Sequence, residues 1–129
     1  MNPLIRALTL LLPALLPLAL GAQTITTITL DGGTQTDVGR STSHAIVDGK
    51  PAISYHDVSN GDLKYVRASD ATGTTWGAPV IVDSSGRTGL FTSLVVISGI
   101  PAISYYDASN RDLRCVRALD TGGANWGPR

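Results

Sequence analysis

Apolar and polar positions alternate along this chain in short runs, each closed by turn-forming residues. Ser43 to Val47 is the first such run, and Asp48-Gly49 follows it. Asp-Gly is a strong tight-turn dipeptide, so a strand ends there. Pro51 to Asp57 is the second run and carries Ile53 and Tyr55. Ser59-Asn60-Gly61-Asp62 closes it, and Leu63 to Ser69 is the third. The longer loop DATGTTWG leads to a fourth run, Pro79 to Asp83. Period-two patterns rich in Val, Ile and Tyr and bounded by Gly, Asn, Asp and Pro predict strands.

The whole pattern then recurs. At a constant offset of fifty, Gly39 to Gly77 aligns with Gly89 to Gly127 without a gap. Matched pairs include Thr42/Thr92, Pro51/Pro101, Tyr55/Tyr105, Asp57/Asp107, Asp62/Asp112, Arg67/Arg117, Asp70/Asp120 and Trp76/Trp126. Four short strands in a repeat of this length predict an all-β fold of four-stranded antiparallel β-propeller blades. The chain carries about two blades' worth, an incomplete ring.

Charge offers a test of hairpin register. With Asn60-Gly61 as a two-residue turn, Ser59 faces Asp62 and Asp57 faces Lys64; in the second repeat Asp107 faces Arg114. Opposite charges across a strand pair contribute roughly 0.2–1 kcal/mol. The second turn is Asn110-Arg111, and arginine fits positive φ poorly, so that hairpin is expected to be looser or of another type.

The ends complement each other. Thr26 to Leu30, then Asp31, resembles Pro79 to Val82, then Asp83, and reads as a fourth strand. At the other end Trp126-Gly127 stops where the next fourth strand would start. The expected division is a signal peptide over 1–22, an N-terminal strand completing a blade over 23–38, one repeat over 39–88 and a second over 89–129. Repeat architectures generally need three or more units. Either several copies, a trimer or larger, complete one ring, or the chain is a piece of a longer repeat protein. The complementary strand ends suit the first. The abrupt Gly127-Pro128-Arg129 suits the second, which is slightly favoured.

Composition narrows the functional classes. Ten basic and ten acidic residues balance to zero, and no basic patch emerges, so nucleic acid is a poor partner. All the acids are aspartate, a residue of turns and strand ends. At the N-terminus Arg6 precedes an apolar run from Ala7 to Leu20, then Gly21 and Ala22. This reads as a secretory signal cleaved after Gly21 or Ala22, placing the chain at the cell exterior or in a periplasm. Pro13 and Pro17 interrupt a run already short for a membrane span, so no membrane attachment is expected after cleavage. Cys115 is the only cysteine and excludes an internal disulfide. Its counterpart is Tyr65, which suggests packing, although an exported thiol could link two chains.

The loop D-A-T-G-T-T-W from Asp70 to Trp76 resembles the Asp-box of sialidase-like propellers, roughly Ser-x-Asp-x-Gly-x-Thr-Trp between the third and fourth strands. Asp70, Gly73, Thr75 and Trp76 take those roles, with spacing different by one residue and Ser69 adjacent to Asp70. The second copy keeps Asp120, Gly123 and Trp126 and replaces the threonine with Asn125. The resemblance implies a propeller fold in which the aspartate binds turn amides and the tryptophan packs between strands. Sialidase chemistry does not follow: that family needs a glutamate beside its tyrosine nucleophile, and this chain has none. In length and repeat count the chain is also similar to two-blade lectins that trimerise into six-bladed rings, without sharing a sugar-site motif.

No catalytic constellation emerges. Asp57 and Asp62 could flank a glycosidic bond, but they bracket a turn and read better as capping and pairing groups. Asp57, Ser59 and Asp62 supply oxygen ligands without an EF-hand spacing, and His44 and His56 do not recur, so neither a metal nor a cofactor is expected. The candidate ligand-binding residues are Tyr55, Arg67, Trp76, Tyr105, Arg117 and Trp126, aromatic faces and guanidinium donors that suit sugars. The expected function is non-catalytic binding at the cell exterior, carbohydrate or another cell-surface ligand favoured. The alternatives are a structural or protein-interaction propeller fragment and a piece of a larger exported hydrolase.

Overall fold

The structure, a computed structural model, describes residues 26–128. The expected signal peptide lies outside the described residues. Seven strands form: β1 (Val38–Val47), β2 (Lys50–Asp57), β3 (Asp62–Arg67), β4 (Val80–Asp83), β5 (Leu90–Ile97), β6 (Ile100–Asp107) and β7 (Asp112–Arg117). They make two antiparallel meanders, β1-β2-β3-β4 and β5-β6-β7. There is no helix among the described residues, so the all-β expectation holds, and no ring closes.

The strands fall close to the predicted runs, with β1 reaching further back. Its pairing with β2 breaks between Val38, Arg40 and Ser43, and Ser41 takes φ 53° there. The Asp48-Gly49 turn behaves as its residues require: both have positive φ and Val47 pairs with Lys50, the type I′ pattern.

Two expectations are corrected. The β2–β3 hairpin is not a two-residue Asn-Gly turn. Asp57 pairs with Asp62 and Tyr55 with Lys64, so the loop runs from Val58 to Gly61. The Gly61 amide donates to the Asp57 carbonyl at 2.8 Å, and only Gly61 of the loop needs positive φ. The β6–β7 hairpin is not of another type either: Asp107 pairs with Asp112 and Arg111 takes φ 64°. Main-chain pairing and Asn110 hold that shape: its amide and side chain both donate to the Asp107 carboxylate. A third difference is that Thr26 to Leu30, expected as a strand, belongs to neither sheet. A strand requires a ladder, and this segment pairs with neither sheet's edge.

The sheets stack face to face in a head-to-tail sense. Side chains alternate across a strand, so Ala52, Ser54, His56, Leu63 and Tyr65 share one face of the first sheet. That face meets Ile103, Tyr105 and Val116 of the second. Leu63, Tyr65, Val82, Leu94, Ile103, Tyr105 and Val116 form the shared core. Polar contacts fix the stacking: Ser54 Oγ and Thr92 Oγ1 lie 2.5 Å apart, and the Leu94 amide donates to Ser43 Oγ at 3.0 Å. His56 Nδ1 sits 2.7 Å from the Thr88 carbonyl oxygen, which makes Nδ1 the donor; Nε2 is buried and has no hydrogen-bond partner among the described residues.

Candidate functional site

Each repeat contains one polar cluster and one hydrogen-bonded loop, and these absorb most of the candidate residues. In the first repeat the Tyr55 hydroxyl donates to Asp31 Oδ2 at 2.7 Å. Lys64 Nζ lies 3.0 Å from the same oxygen and 2.8 Å from Asp57 Oδ2. In the second the Tyr105 hydroxyl donates to Asp83 Oδ2 at 2.5 Å, and Arg114 pairs with Asp107 at 3.0 Å. Asp31 and Asp83 thus hold equivalent places, each carried by the segment just ahead of the repeat it serves. The expected pairs Asp57–Lys64 and Asp107–Arg114 form, but diagonally across the ladder.

These environments shift the titrating groups. Burial pushes the Asp31 carboxyl up, but the Tyr55 and Lys64 hydrogen bonds outweigh it and hold it below the usual range. Burial likewise opposes, and hydrogen bonds from Lys64 and Asn60 overcome, so Asp57 is also lowered. Asp62 moves the other way, raised by burial and then by the Asp57 charge. A split carboxylate pair is one signature of acid–base chemistry. Here Asp57 is buried, and its oxygens are taken by Asn60 and Lys64, so it braces the hairpin. Among the described residues no group of three or more His, Cys or Asp side chains is placed to hold a metal ion.

The Asp70–Trp76 loop is organised by one carboxylate. The amides of Thr72, Thr74 and Thr75 donate to Asp70 at 2.9, 3.2 and 2.6 Å, and the three threonine hydroxyls add to it. Those hydroxyl bonds, Thr72 and Thr75 foremost, hold the Asp70 carboxyl far below its ordinary value. In the second loop Asp120 accepts from the Gly122, Ala124 and Asn125 amides at 3.0, 3.0 and 2.7 Å. Each tryptophan closes its own loop, Trp76 Nε1 donating to the Gly73 carbonyl at 2.8 Å and Trp126 Nε1 to that of Gly123 at 2.9 Å.

The six candidate ligand residues are therefore not gathered at one place. Tyr105 lies in the sheet interface, and Tyr55 lies on the opposite face of the first sheet beneath Asp31. Trp126 packs edge-on to Tyr65, ring centroids 5.2 Å apart. Arg67 donates to the Val47 and Asp48 carbonyls and pairs with the Asp48 carboxylate at 2.9 Å. Arg117 reaches the Ile97 carbonyl at 3.1 Å and stays exposed.

A cleft of about 370 Å³ forms where the second loop meets the first sheet. Lys50, Tyr65, Arg67, Ser69, Gly122 and Gly123 line it. The Tyr65 hydroxyl donates to the Gly122 carbonyl at 3.0 Å, and burial pushes its phenol up to about 12. Of these residues only Arg67 is among the sequence candidates. The signal for the others lies where the repeats disagree, Tyr65 against Cys115 and Thr72 against Gly122. No family model, curated protein or solved structure matches the chain.

Proposed function

We propose that this chain is an exported, non-catalytic binding module built from propeller-type blades of the Asp-box kind, with carbohydrate as its favoured ligand. The observation that carries the ligand reading is the cleft between the repeats. Lys50 and Arg67 supply cationic groups, Ser69 a hydroxyl, and Ala78 and Val80 an apolar wall. Fixed donors beside an apolar surface suit a hydroxyl-rich or acidic sugar. The blade reading is supported by the meander order, the head-to-tail stacking and the carboxylate-centred loop after the third strand of each repeat.

A glycan array with the folded chain, followed by the same array with Lys50→Ala, tests the ligand. Binding that Lys50→Ala weakens at least tenfold is the expected result; an array silent for a well-folded sample overturns it. A second reading, a structural or protein-interaction propeller, is favoured by the internal engagement of both tyrosines and both tryptophans of the candidate set. It predicts that silent array.

A further inference from the structure

The two outward faces of the molecule are the two halves of the interface between its sheets. Leu63 is fully buried in that interface, while its counterpart Leu113 is 84% exposed. Tyr65 is buried there, and its counterpart Cys115 is exposed. Leu63 seats against Gly89 so closely that a Cβ on the glycine would lie 2.7 Å from the Leu63 Cα. The counterpart of Gly89 is Gly39, where no described residue lies within 4 Å of that point. Gly39 instead borders an open groove of about 270 Å³ with Val38, Thr42, Ile53 and Val66. One face thus carries an unseated leucine, and the other an unfilled seat.

The strand edges match in the same way. β4 covers the edge of β3, with Asp83 opposite Leu63 and Val80 opposite Tyr65. Among the described residues the equivalent edge of β7 has no fourth strand. A groove of about 550 Å³ lies against Arg114, Leu119 and Trp126. Meanwhile Ile28–Asp31, the counterpart of Val80–Asp83, is in neither sheet, although Asp31 is already held by Tyr55 and Lys64.

We propose that copies of this chain associate head to tail: Leu113 of one copy enters the Gly39 groove of the next, whose Ile28–Asp31 segment adds to β7 as a fourth strand. The inter-sheet contacts carry over. Ser104 meets Thr42 of the next copy as Ser54 meets Thr92, and Ser93 faces the His44 amide as Ser43 faces that of Leu94. Sizes compensate where the residues differ. Inside the chain the large Tyr65 meets the small Gly122; between copies the small Cys115 meets the larger Thr72. Such a contact is heterologous, so it closes only as a ring; about two to four copies would supply the four to eight sheets that propellers contain.

The test is solution mass by sedimentation across the micromolar range. The chain is expected at a discrete multiple of its own mass, and Leu113→Asp and Thr42→Arg, both at exposed positions, at the mass of one chain with unchanged secondary structure. Ile28→Cys adds an independent reading, because the proposed register sets position 28 opposite Cys115 of another copy. Mild oxidation is expected to link chains through Cys115, and to lose that link in the Leu113→Asp background. A monomer, a polydisperse aggregate, or a multimer whose mass and cross-linking ignore Leu113→Asp overturns the proposal.

Discussion

At the scale of single residues, the molecule depends on aspartates that serve the repeat after their own. Asp83 belongs to β4, yet its carboxylate accepts from Tyr105 in the next sheet. Asp83 is fully buried, so Tyr105→Phe removes one donor from a carboxylate that bulk water cannot reach, with the Ser85 amide and Arg114 still beside it. The expected loss is about 1–3 kcal/mol, read from urea unfolding. Tyr55→Phe is expected to cost less, because Asp31 is only partly buried and water can replace the lost donor. The pH dependence follows from the same groups. Asp31 and Asp57 are lowered in the folded state, so their stabilisation is complete above the unfolded value, about 4, and drains as pH falls through the folded values. Asp62 is raised and partly offsets that loss. Tyr55, Tyr105 and Lys64 are all raised, so the unfolded chain releases protons first as pH climbs beyond about 10, and stability falls there too. Unfolding midpoints measured across pH are expected to fall at both extremes. The likeness of Asp31 to Asp83 was legible in the sequence. Their partners were not, since Tyr55 and Tyr105 sit more than twenty residues further on, in the repeat that each aspartate precedes.

At the scale of elements, the strands were legible because each is short, alternating and bounded by turn residues. The hairpin register was not, for a physical reason. Lys64 and Arg114 are long enough to reach Asp57 and Asp107 diagonally, so a favourable charge pair fits two registers equally well. What decides is the backbone: the Gly61 amide closes on the Asp57 carbonyl and sets a longer loop. The sister loop makes Arg111 adopt φ 64°, a left-handed conformation that costs an L-residue about 1–2 kcal/mol. Arg111 is exposed and makes no ion pair among the described residues. Arg111→Gly is therefore expected to stabilise the chain by about 1 kcal/mol, part of the relief being offset by the entropy of a glycine when unfolded. Thermal unfolding checks this, and an unchanged or lower midpoint would mean the arginine contributes a contact that outweighs the strain. The reverse change is not symmetrical. At Gly61 a Cβ would lie 3.1 Å from the Gly86 carbonyl oxygen, so Gly61→Arg should cost more than Arg111→Gly gains.

At the scale of the whole molecule, near-identical repeats occupy different surroundings, and this no alignment reveals. Equivalent positions share a backbone but not a neighbour, because the sheets stack head to tail. The two loop glycines show it. Gly73 and Gly123 have φ 73° and 74°, so alanine is strained at either by the same left-handed cost. Their surroundings then diverge. A Cβ at Gly73 would meet Pro51 Cγ at 3.4 Å, an ordinary contact. A Cβ at Gly123 would lie 2.7 Å from Tyr65 Cε1 and 2.9 Å from its Cζ. Tyr65 has little room to yield: it is buried, its hydroxyl is held by the Gly122 carbonyl, and Trp126 stands against its ring. Gly73→Ala should therefore cost about 1–2 kcal/mol, while Gly123→Ala adds an overpacking penalty of about 1–3 kcal/mol. Denaturant unfolding of both variants reads the difference. Tyr65→Cys, which copies the second repeat's residue into the first, should remove most of the extra penalty in the Gly123→Ala background and none of the cost at Gly73. Equal losses for the two glycines would mean that the Tyr65–Gly123 contact does not hold the sheets together, and that the stacking rests on the aliphatic core around Leu63 and Ile103 alone.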